Sequence, residues 1–281
     1  MEKIFITGGT GFIAGHLTNA FKDEAQIIAL PHGDLDASDA AQVRDCLRKH
    51  APDLIFHCAT QGGLRGVADA PDTMQKNLAM LDNLLRFKKD SARLVFFSSG
   101  AMYDKSRNLQ KIKESDLGKR VPRDLYGLSK MKAALSLRNR KDALCLTIFG
   151  CYGIGERETR FPTYAVSRVL KKEPVVIRQN VVFDYLFIDD LIKIVRTLKK
   201  QFPADNILNA TPTQSVSLTE IAETVNSFAE EKSDIRVLNA AAGNAYTGDN
   251  ALLLKNCPNL TFTPYVQGLR TLYDFLNRFQ N

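Results

Sequence analysis

Apolar and polar positions along the first half of this chain switch repeatedly between a short continuous period and a helical one, and the switches predict its elements. Lys3-Ile4-Phe5-Ile6 is an apolar strand that breaks at Thr7-Gly8-Gly9-Thr10-Gly11, and a helix opens directly behind it through Phe12, Ile13, Ala14 and Leu17. Gln26-Ile27-Ile28-Ala29-Leu30 reads as a second β-run, Ala40 to His50 as an amphipathic helix, and Asp53 to Ala59 as a buried strand. A longer helix is predicted from about Thr73 to Lys88, a strand over Arg93 to Ser98, a helix starting near Tyr126, and a strand over Leu144 to Phe149. This alternation predicts the α/β class, with a doubly wound parallel sheet whose binding sites lie at the carboxyl ends of the strands.

From Gly153 the texture changes. Gly, Pro and short apolar pieces surround a helix expected at about Thr163 to Lys171, as in a smaller lobe inserted after the sheet. Phe183 to Ile188, followed by Asp189-Asp190 and an apolar-periodic helix, and then Asn206-Ile207-Leu208-Asn209, predict a return to the first domain. The expected organisation is therefore a dinucleotide-binding domain over 1–152 plus roughly 184–210, and a smaller C-terminal α/β substrate lobe over 153–183 and 211–281. Neither an internal repeat nor a low-complexity segment is evident.

The 281 residues, 44% of them hydrophobic, suit a soluble globular protein with one large or two modest cores. The N-terminus lacks the basic and apolar segments of a signal peptide, and no apolar run reaches bilayer length, so a cytoplasmic protein with no membrane partner is expected. Cys46, Cys58, Cys145, Cys151 and Cys257 are odd in number and widely spaced, which predicts buried thiols rather than disulfides or a metal site. The net charge of +7 suits an anionic ligand. Basic residues at Lys105-Arg107, Lys111-Lys113, Lys119-Arg120-Arg123 and Arg138-Arg140-Lys141 are interspersed with acids and lack interleaved aromatics, so solvated faces are expected there and no nucleic acid.

Three features carry chemistry. A glycine turn between a strand and a helix exposes backbone N–H groups at the positive end of the helix, where a pyrophosphate can sit. Gly8 permits the turn, Gly11 lets phosphate approach the backbone, and Ala14 takes the third small position needed for close helix-to-strand packing. Next, Tyr126-Gly127-Leu128-Ser129-Lys130 sets a phenol and an ammonium four residues apart on one helical face. For the phenol to act as a base near neutrality its pKa must fall from ~10 by roughly three units, about 4 kcal/mol of preferential phenolate stabilisation. Lys130 is expected to supply part of it. Finally, Ser98-Ser99 ends an apolar strand and presents a hydroxyl at the binding edge of the sheet.

In this order the features resemble the extended short-chain dehydrogenase/reductases, specifically the NAD-dependent epimerase/dehydratase family acting on nucleotide sugars, over nearly the whole length. Thr7 to Ala14 is similar to that family's Rossmann cofactor turn, Leu35-Asp36-Ala37-Ser38-Asp39 to its adenine-contacting segment, Phe56 to Ala59 to the strand end beside the cofactor, and Asn77 to Leu85 to a characteristic helix. The resemblance implies cofactor contacts from Gly8, Thr10, Gly11, Phe12, Ile13, Asp36, Ala37, Ala59, Asn77, Tyr126 and Lys130. It implies a catalytic set of Ser99, Tyr126 and Lys130: Tyr126 exchanges a proton, Lys130 lowers its pKa and holds ribose, and Ser99 bonds the reacting oxygen. Phe149 to Gly155, Asp184 to Asp190 and Asn206 to Asn209 follow the family's order. Relatives of this kind also pair through two helices, here Thr73 to Lys88 and Tyr126 to Asn139, which implies a homodimer.

This chain departs from the pattern in places. Gly100-Ala101 follow Ser99 where the family's dehydratases place an Asp-Glu pair, which disfavours dehydration. Gly150 stands where many relatives hold substrate with an asparagine, and Phe183 where many have an arginine. Ser99, Gly150, Arg160 and Arg178 are the candidate substrate contacts, with Arg157, Arg236 and Arg270 as further candidates to grip a diphosphate. Leu30-Pro31-His32-Gly33 supplies neither the acid expected at the ribose 2′-hydroxyl nor an arginine for a 2′-phosphate, so NAD is the expected cofactor and NADP stays open. The expected function is an NAD(P)-dependent nucleotide-sugar epimerase or 4-keto-sugar reductase. The alternative is a non-catalytic Rossmann-fold sensor of a dinucleotide or nucleotide sugar.

Overall fold

Long apolar runs and helical repeats alternate in the computed structural model, which describes residues 1–64 and 66–279, much as the pattern predicts. The chain runs β1 (Glu2–Thr7), α1 (Phe12–Phe21), β2 (Ala25–Leu30), α2 (Ala40–His50), β3 (Leu54–His57), α3 (Thr73–Phe87) and β4 (Arg93–Ser99). It continues through β5 (Leu109–Ile112), α4 (Leu125–Leu137), β6 (Ala143–Ile148), β7 (Gly150–Tyr152), α5 (Phe161–Leu170), β8 (Val175–Gln179), β9 (Val182–Phe183), β10 (Tyr185–Phe187) and α6 (Ile188–Leu198). Last come β11 (Ile207–Asn209), β12 (Val216–Ser217), α7 (Leu218–Phe228), β13 (Ile235–Asn239), β14 (Tyr246–Gly248), α8 (Ala251–Asn256) and α9 (Tyr265–Asn277).

Six of these strands form the central parallel sheet, in the order β11-β6-β4-β3-β1-β2. Every residue of β3 and β6 is buried, as expected of strands covered on both faces, and this is why they read as unbroken apolar runs. The strand order reverses beside β1, so the loops after β1, β3 and β4 converge on one edge. The segment around Asn206–Asn209 returns to the sheet, where Ile207 to Asn209 pair with Cys145 to Thr147 of β6. Asn206 fixes that return, its buried amide donating to the carbonyls of Leu137, Arg140 and Ala143.

The remaining strands form smaller sheets. Tyr185 to Phe187 pair with Gly150 to Tyr152 rather than joining the large sheet. β8 pairs with β13, and β12-β9-β14-β5 form a four-stranded sheet. β5 is absent from the alternation read in the sequence because only its end residues are apolar, and its pairing to β14 lies more than a hundred residues away. One apolar cluster runs from Ile4, Phe56 and Leu144 of the large sheet to Leu253, Leu269 and Leu272 near the C-terminus, so the two ends of the chain share a core.

The cysteines are free, with Cys145 and Cys257 buried; Cys46, Cys58 and Cys151 are partly exposed, contrary to the expectation that all are buried. Among the described residues no helix is long and apolar enough to cross a membrane, and no group of His, Cys, Asp and Glu could hold a metal ion.

Candidate active site

The turn after β1 is built by steric necessity. Gly8 has φ +66°, and a Cβ there would lie 3.0 Å from Ala59 Cα, so the turn sits directly on the chain leaving β3. Gly11 donates its N–H to Gly8 O at 2.8 Å, closing the turn, and α1 starts without a side-chain cap. Its first amides therefore remain available to an anion, in contrast to α2, where Asp39 accepts from Ala41 and Gln42. Ala14 is fully buried, as its packing role requires. A cavity of about 310 Å³ opens between Thr10, Gly11 and Phe12 on one side and Ile154 and Gly155 on the other, with His16 Nε2 bonded to Ile154 O at 2.8 Å across it.

Thr7 braces the same edge. Its hydroxyl accepts from Ala59 N–H at 3.1 Å and shares a hydrogen with His57 Nδ1 at 2.9 Å. His57 is 1% exposed, and burial, helped by the nearby Lys130 charge, pushes its pKa down to about 3, so the ring is neutral. Asp36 is held by Ser38, which donates from both its N–H and its hydroxyl, and this keeps the carboxyl below its usual range. Asn83 donates to Ala37 O at 3.1 Å, fixing that segment over α3. Asn77 spends both amide hydrogens on Gln61 O and Ser129 Oγ, so it braces the loop after β3 against α4. The uncapped helix, the glycine cradle against Ala59 and the cavity fit a dinucleotide, which Gly8, Gly11, Phe12, Ile13, Ala59 and Lys130 would hold.

Ser99 ends β4 and caps the turn that follows, accepting from Ala101 N–H at 3.2 Å. Asp124 starts α4 by accepting from Gly127 N–H at 2.9 Å, and Asp69 accepts from Tyr126 N–H at 2.8 Å. A Cβ at Gly127 would lie 2.7 Å from Ala101 O. The glycine inside the Tyr-x-x-x-Lys stretch therefore lets α4 lie flush against the turn carrying Ser99. Lys130, 4% exposed, donates to Phe97 O at 3.1 Å and lies 4.6 Å from the centre of the Phe96 ring and 5.5 Å from that of Tyr126. Among the described residues no carboxylate pairs with it, and burial pushes its pKa down to about 8.

The Tyr126 phenol behaves differently from the expectation. Burial dominates and raises its pKa; the nearby Ser99 hydroxyl and the charge of Arg160 pull it down without reversing the direction. The largest lowering influences are Ser99 and Arg160, and with burial prevailing the resting phenol is protonated.

Further residues at this edge escaped the sequence reading. Tyr246 of β14 brings a second phenol to Ser99, Oη to Oγ 3.3 Å. It lies in an Ala-, Gly- and Asn-rich stretch with no periodicity, so nothing local marked it. Asp69 bonds Gly63 N–H at 3.0 Å as well as Tyr126 N–H, and a Cβ at Gly63 would lie 2.9 Å from the Tyr126 ring. The Gly62-Gly63 pair was the available signal. Of the predicted substrate contacts, Arg160 precedes α5 and its charge reaches both Tyr126 and Tyr246. Gly150 makes room for the Tyr185 ring, 2.9 Å from where its Cβ would be, and Phe183 packs on Tyr185 and Tyr246. Arg178 is exposed on β8 beside β13, and among the described residues no hydrogen bond or ion pair joins it to Ser99, Tyr126 or Lys130.

A doubly wound sheet with a glycine turn at its first strand and a hydroxyl, a phenol and a buried ammonium at one edge defines a Rossmann-type protein of the extended short-chain dehydrogenase/reductase kind. Residues 4–211 match the NAD dependent epimerase/dehydratase family, and the chain belongs to it. It is 25% identical to GDP-mannose 3,5-epimerase of Arabidopsis thaliana, over 96% of this chain and 81% of that protein. A shorter match, 33% identical over 107 residues, covers 36% of this chain and 34% of GDP-L-fucose synthase of Azorhizobium caulinodans. Its fold superimposes on GDP-mannoheptose C4 reductase from Campylobacter jejuni, solved with NADP bound, with a TM-score of 0.84 and 16% identity over 98% of each chain.

Proposed function

We propose that this protein is an NAD(P)-dependent nucleotide-sugar epimerase or 4-keto-sugar reductase in which Ser99, Tyr126 and Lys130 handle the proton. The observation that carries the reading is the meeting of these three side chains on one edge of the sheet, beside a helix whose first amides no side chain caps. A nicotinamide bound there supplies the hydride chemistry. Tyr126, protonated at rest, gives its proton to the oxygen of a ketone being reduced, or takes one from an alcohol being oxidised. Ser99 holds that oxygen at the same phenol, and Lys130 supplies positive charge beneath it. Water exclusion comes from the Gly62-Gly63 loop, which Asp69 ties down across the Tyr126 ring.

The reading of the substrate as a nucleotide sugar rests on the family and on the names of relatives such as GDP-mannose 3,5-epimerase. Arg160 is the cation best placed to meet a sugar diphosphate near the two phenols. Pairing of two copies through α3 and α4 is part of the same reading and is checked by light scattering of the purified protein. Mass spectrometry of small molecules released on denaturation separates the two activities. Stoichiometric NAD marks a cycle that regenerates its cofactor, as an epimerase needs, and an empty protein that turns over with added NADH or NADPH marks a reductase. Loss of neither activity on Tyr126→Phe would overturn the assignment of the proton donor.

A further inference from the structure

Ser99 Oγ has two lone pairs and one proton, and three neighbours compete for them. Ala101 N–H can only donate, and it takes one lone pair at 3.2 Å. Tyr246 Oη stands at 3.3 Å, and the Tyr126 phenol is the third neighbour, near enough for the Ser99 hydroxyl to lower its pKa. Whenever Tyr126 has given up its proton it can only accept, so Ser99 must donate to it or to the reacting oxygen. Ser99 then has one lone pair left, and Tyr246 must fill it as a donor.

Tyr246 is placed to do this. Its ring packs on Phe149, centroids 5.2 Å apart, and on Phe183 at 5.5 Å. A Cβ at Gly100, the residue after Ser99, would come within 2.9 Å of the Tyr246 hydroxyl and 2.5 Å of the Phe149 ring. A Cβ at Gly248, two residues after Tyr246, would lie 2.5 Å from Phe149. Two glycines thus clear the space in which this phenol meets the serine. The charged and titratable groups facing the pair are Arg160 ahead of α5, Asp124 and Lys130 at α4, Asp69 in the loop before α3, and Lys105, 5.9 Å from the Tyr126 ring centre. None of them donates to Ser99. Burial holds the Tyr246 phenol in its protonated form.

We infer that Tyr246 is a positioning residue for proton transfer: by donating to Ser99 Oγ it forces the serine proton toward Tyr126 and the reacting oxygen, and so stabilises the Tyr126 phenolate through the serine. This rests on the reading of Ser99 and Tyr126 as the proton-handling pair.

The test follows Tyr126 ionisation directly, without turnover. The NAD-loaded protein is labelled with 3-fluorotyrosine, and the 19F resonances of its eight tyrosines, assigned by single Tyr→Phe variants, are titrated with pH. Tyr246→Phe keeps the ring packing and should raise the Tyr126 midpoint by roughly 0.5–1 pH unit, the size expected for a cooperative bond acting through one intermediary. Ser99→Ala should raise it at least as far, and adding Tyr246→Phe to Ser99→Ala should move it no further. Tyr103→Phe, which empties a phenol stacked on the same Phe149 but bonded to Asn209, should leave it in place. An unmoved midpoint in Tyr246→Phe overturns the inference, as does an equal shift with and without Ser99, or an equal shift from Tyr103→Phe. Because no substrate is used, failure on every nucleotide sugar would leave this result standing and would retire the substrate reading alone.

Discussion

Lys130 is the residue whose placement is hardest to justify by stability, and replacing it with methionine should make the protein more stable and inactive. The ammonium is 4% exposed, has no carboxylate partner among the described residues, and its pKa falls from 10.5 to about 8. At ~1.4 kcal/mol per pH unit, keeping the charge at pH 7 destabilises the fold by roughly 3 kcal/mol. The bond to Phe97 O returns about 1 kcal/mol of this, so Lys130→Met should gain about 2 kcal/mol at pH 7. The sign with pH is fixed by proton counting. Between pH 8 and 10.5 the unfolded chain holds the Lys130 proton and the folded chain does not, so wild-type stability rises with pH there and the variant lacks that rise. By pH 9.5 the advantage of the variant should shrink by about 2 kcal/mol, to near zero. The chain has no tryptophan, so urea unfolding is followed by far-ultraviolet circular dichroism at both pH values. A variant less stable than wild type at pH 7, or a difference that does not change with pH, would refute the claim that this ammonium is held against a desolvation penalty.

Other consequences are open to similar checks. His57, neutral with a pKa of about 3 against 6.5 when unfolded, should cost the protein stability as pH falls below 6.5; between pH 6.5 and 4.5, His57→Gln should remove about 2–3 kcal/mol of that loss in urea titrations, and an unchanged slope would show the ring is not excluded from water. Gly8→Ala places a methyl group 3.0 Å from Ala59 Cα at a φ of +66°, so it should destabilise the fold by about 1–3 kcal/mol and weaken dinucleotide binding at least tenfold by calorimetry. Asp69→Ala releases the amides of Gly63 and Tyr126 together, and hydrogen exchange at both should accelerate by roughly tenfold or more while the central sheet keeps its protection. Exchange unchanged at both amides would show that the loop is held by something other than this carboxylate.

The first half of the fold was legible because burial on both sheet faces leaves its strands as apolar runs, Leu54 to His57 and Ala143 to Ile148 among them. The glycine turn and the Tyr126 to Lys130 spacing were legible for a related reason, since each is a local pattern whose geometry follows from neighbouring residues. What escaped notice is non-local. Leu109 to Ile112 becomes a strand only because Tyr246 to Gly248 lie beside it, and neither segment carries a period of its own. Tyr246 reaches Ser99 by the same pairing, across 147 positions of sequence. The direction of the Tyr126 pKa was also beyond the sequence, because spacing reveals that Lys130 is close but not that burial outweighs the neighbouring charges. Gly150 and Phe183, which read as losses of polar contacts, prove to be the two sides of one aromatic packing arrangement around Tyr185.

Hydride transfer to or from a sugar carbon, with Tyr126 handling the proton, leaves an isotopic trace in its product. The protein, incubated with reduced nicotinamide carrying deuterium at the transferable position and with GDP-, UDP- and dTDP-linked 4-keto sugars or their parent sugars in turn, is assayed by mass spectrometry of the nucleotide-sugar pool. The wild type should yield a deuterium-labelled or epimerised nucleotide sugar, and Tyr126→Phe should lose about 10²-fold or more in rate. No labelled or epimerised product from any of these substrates, with the dinucleotide bound, would contradict this chemistry.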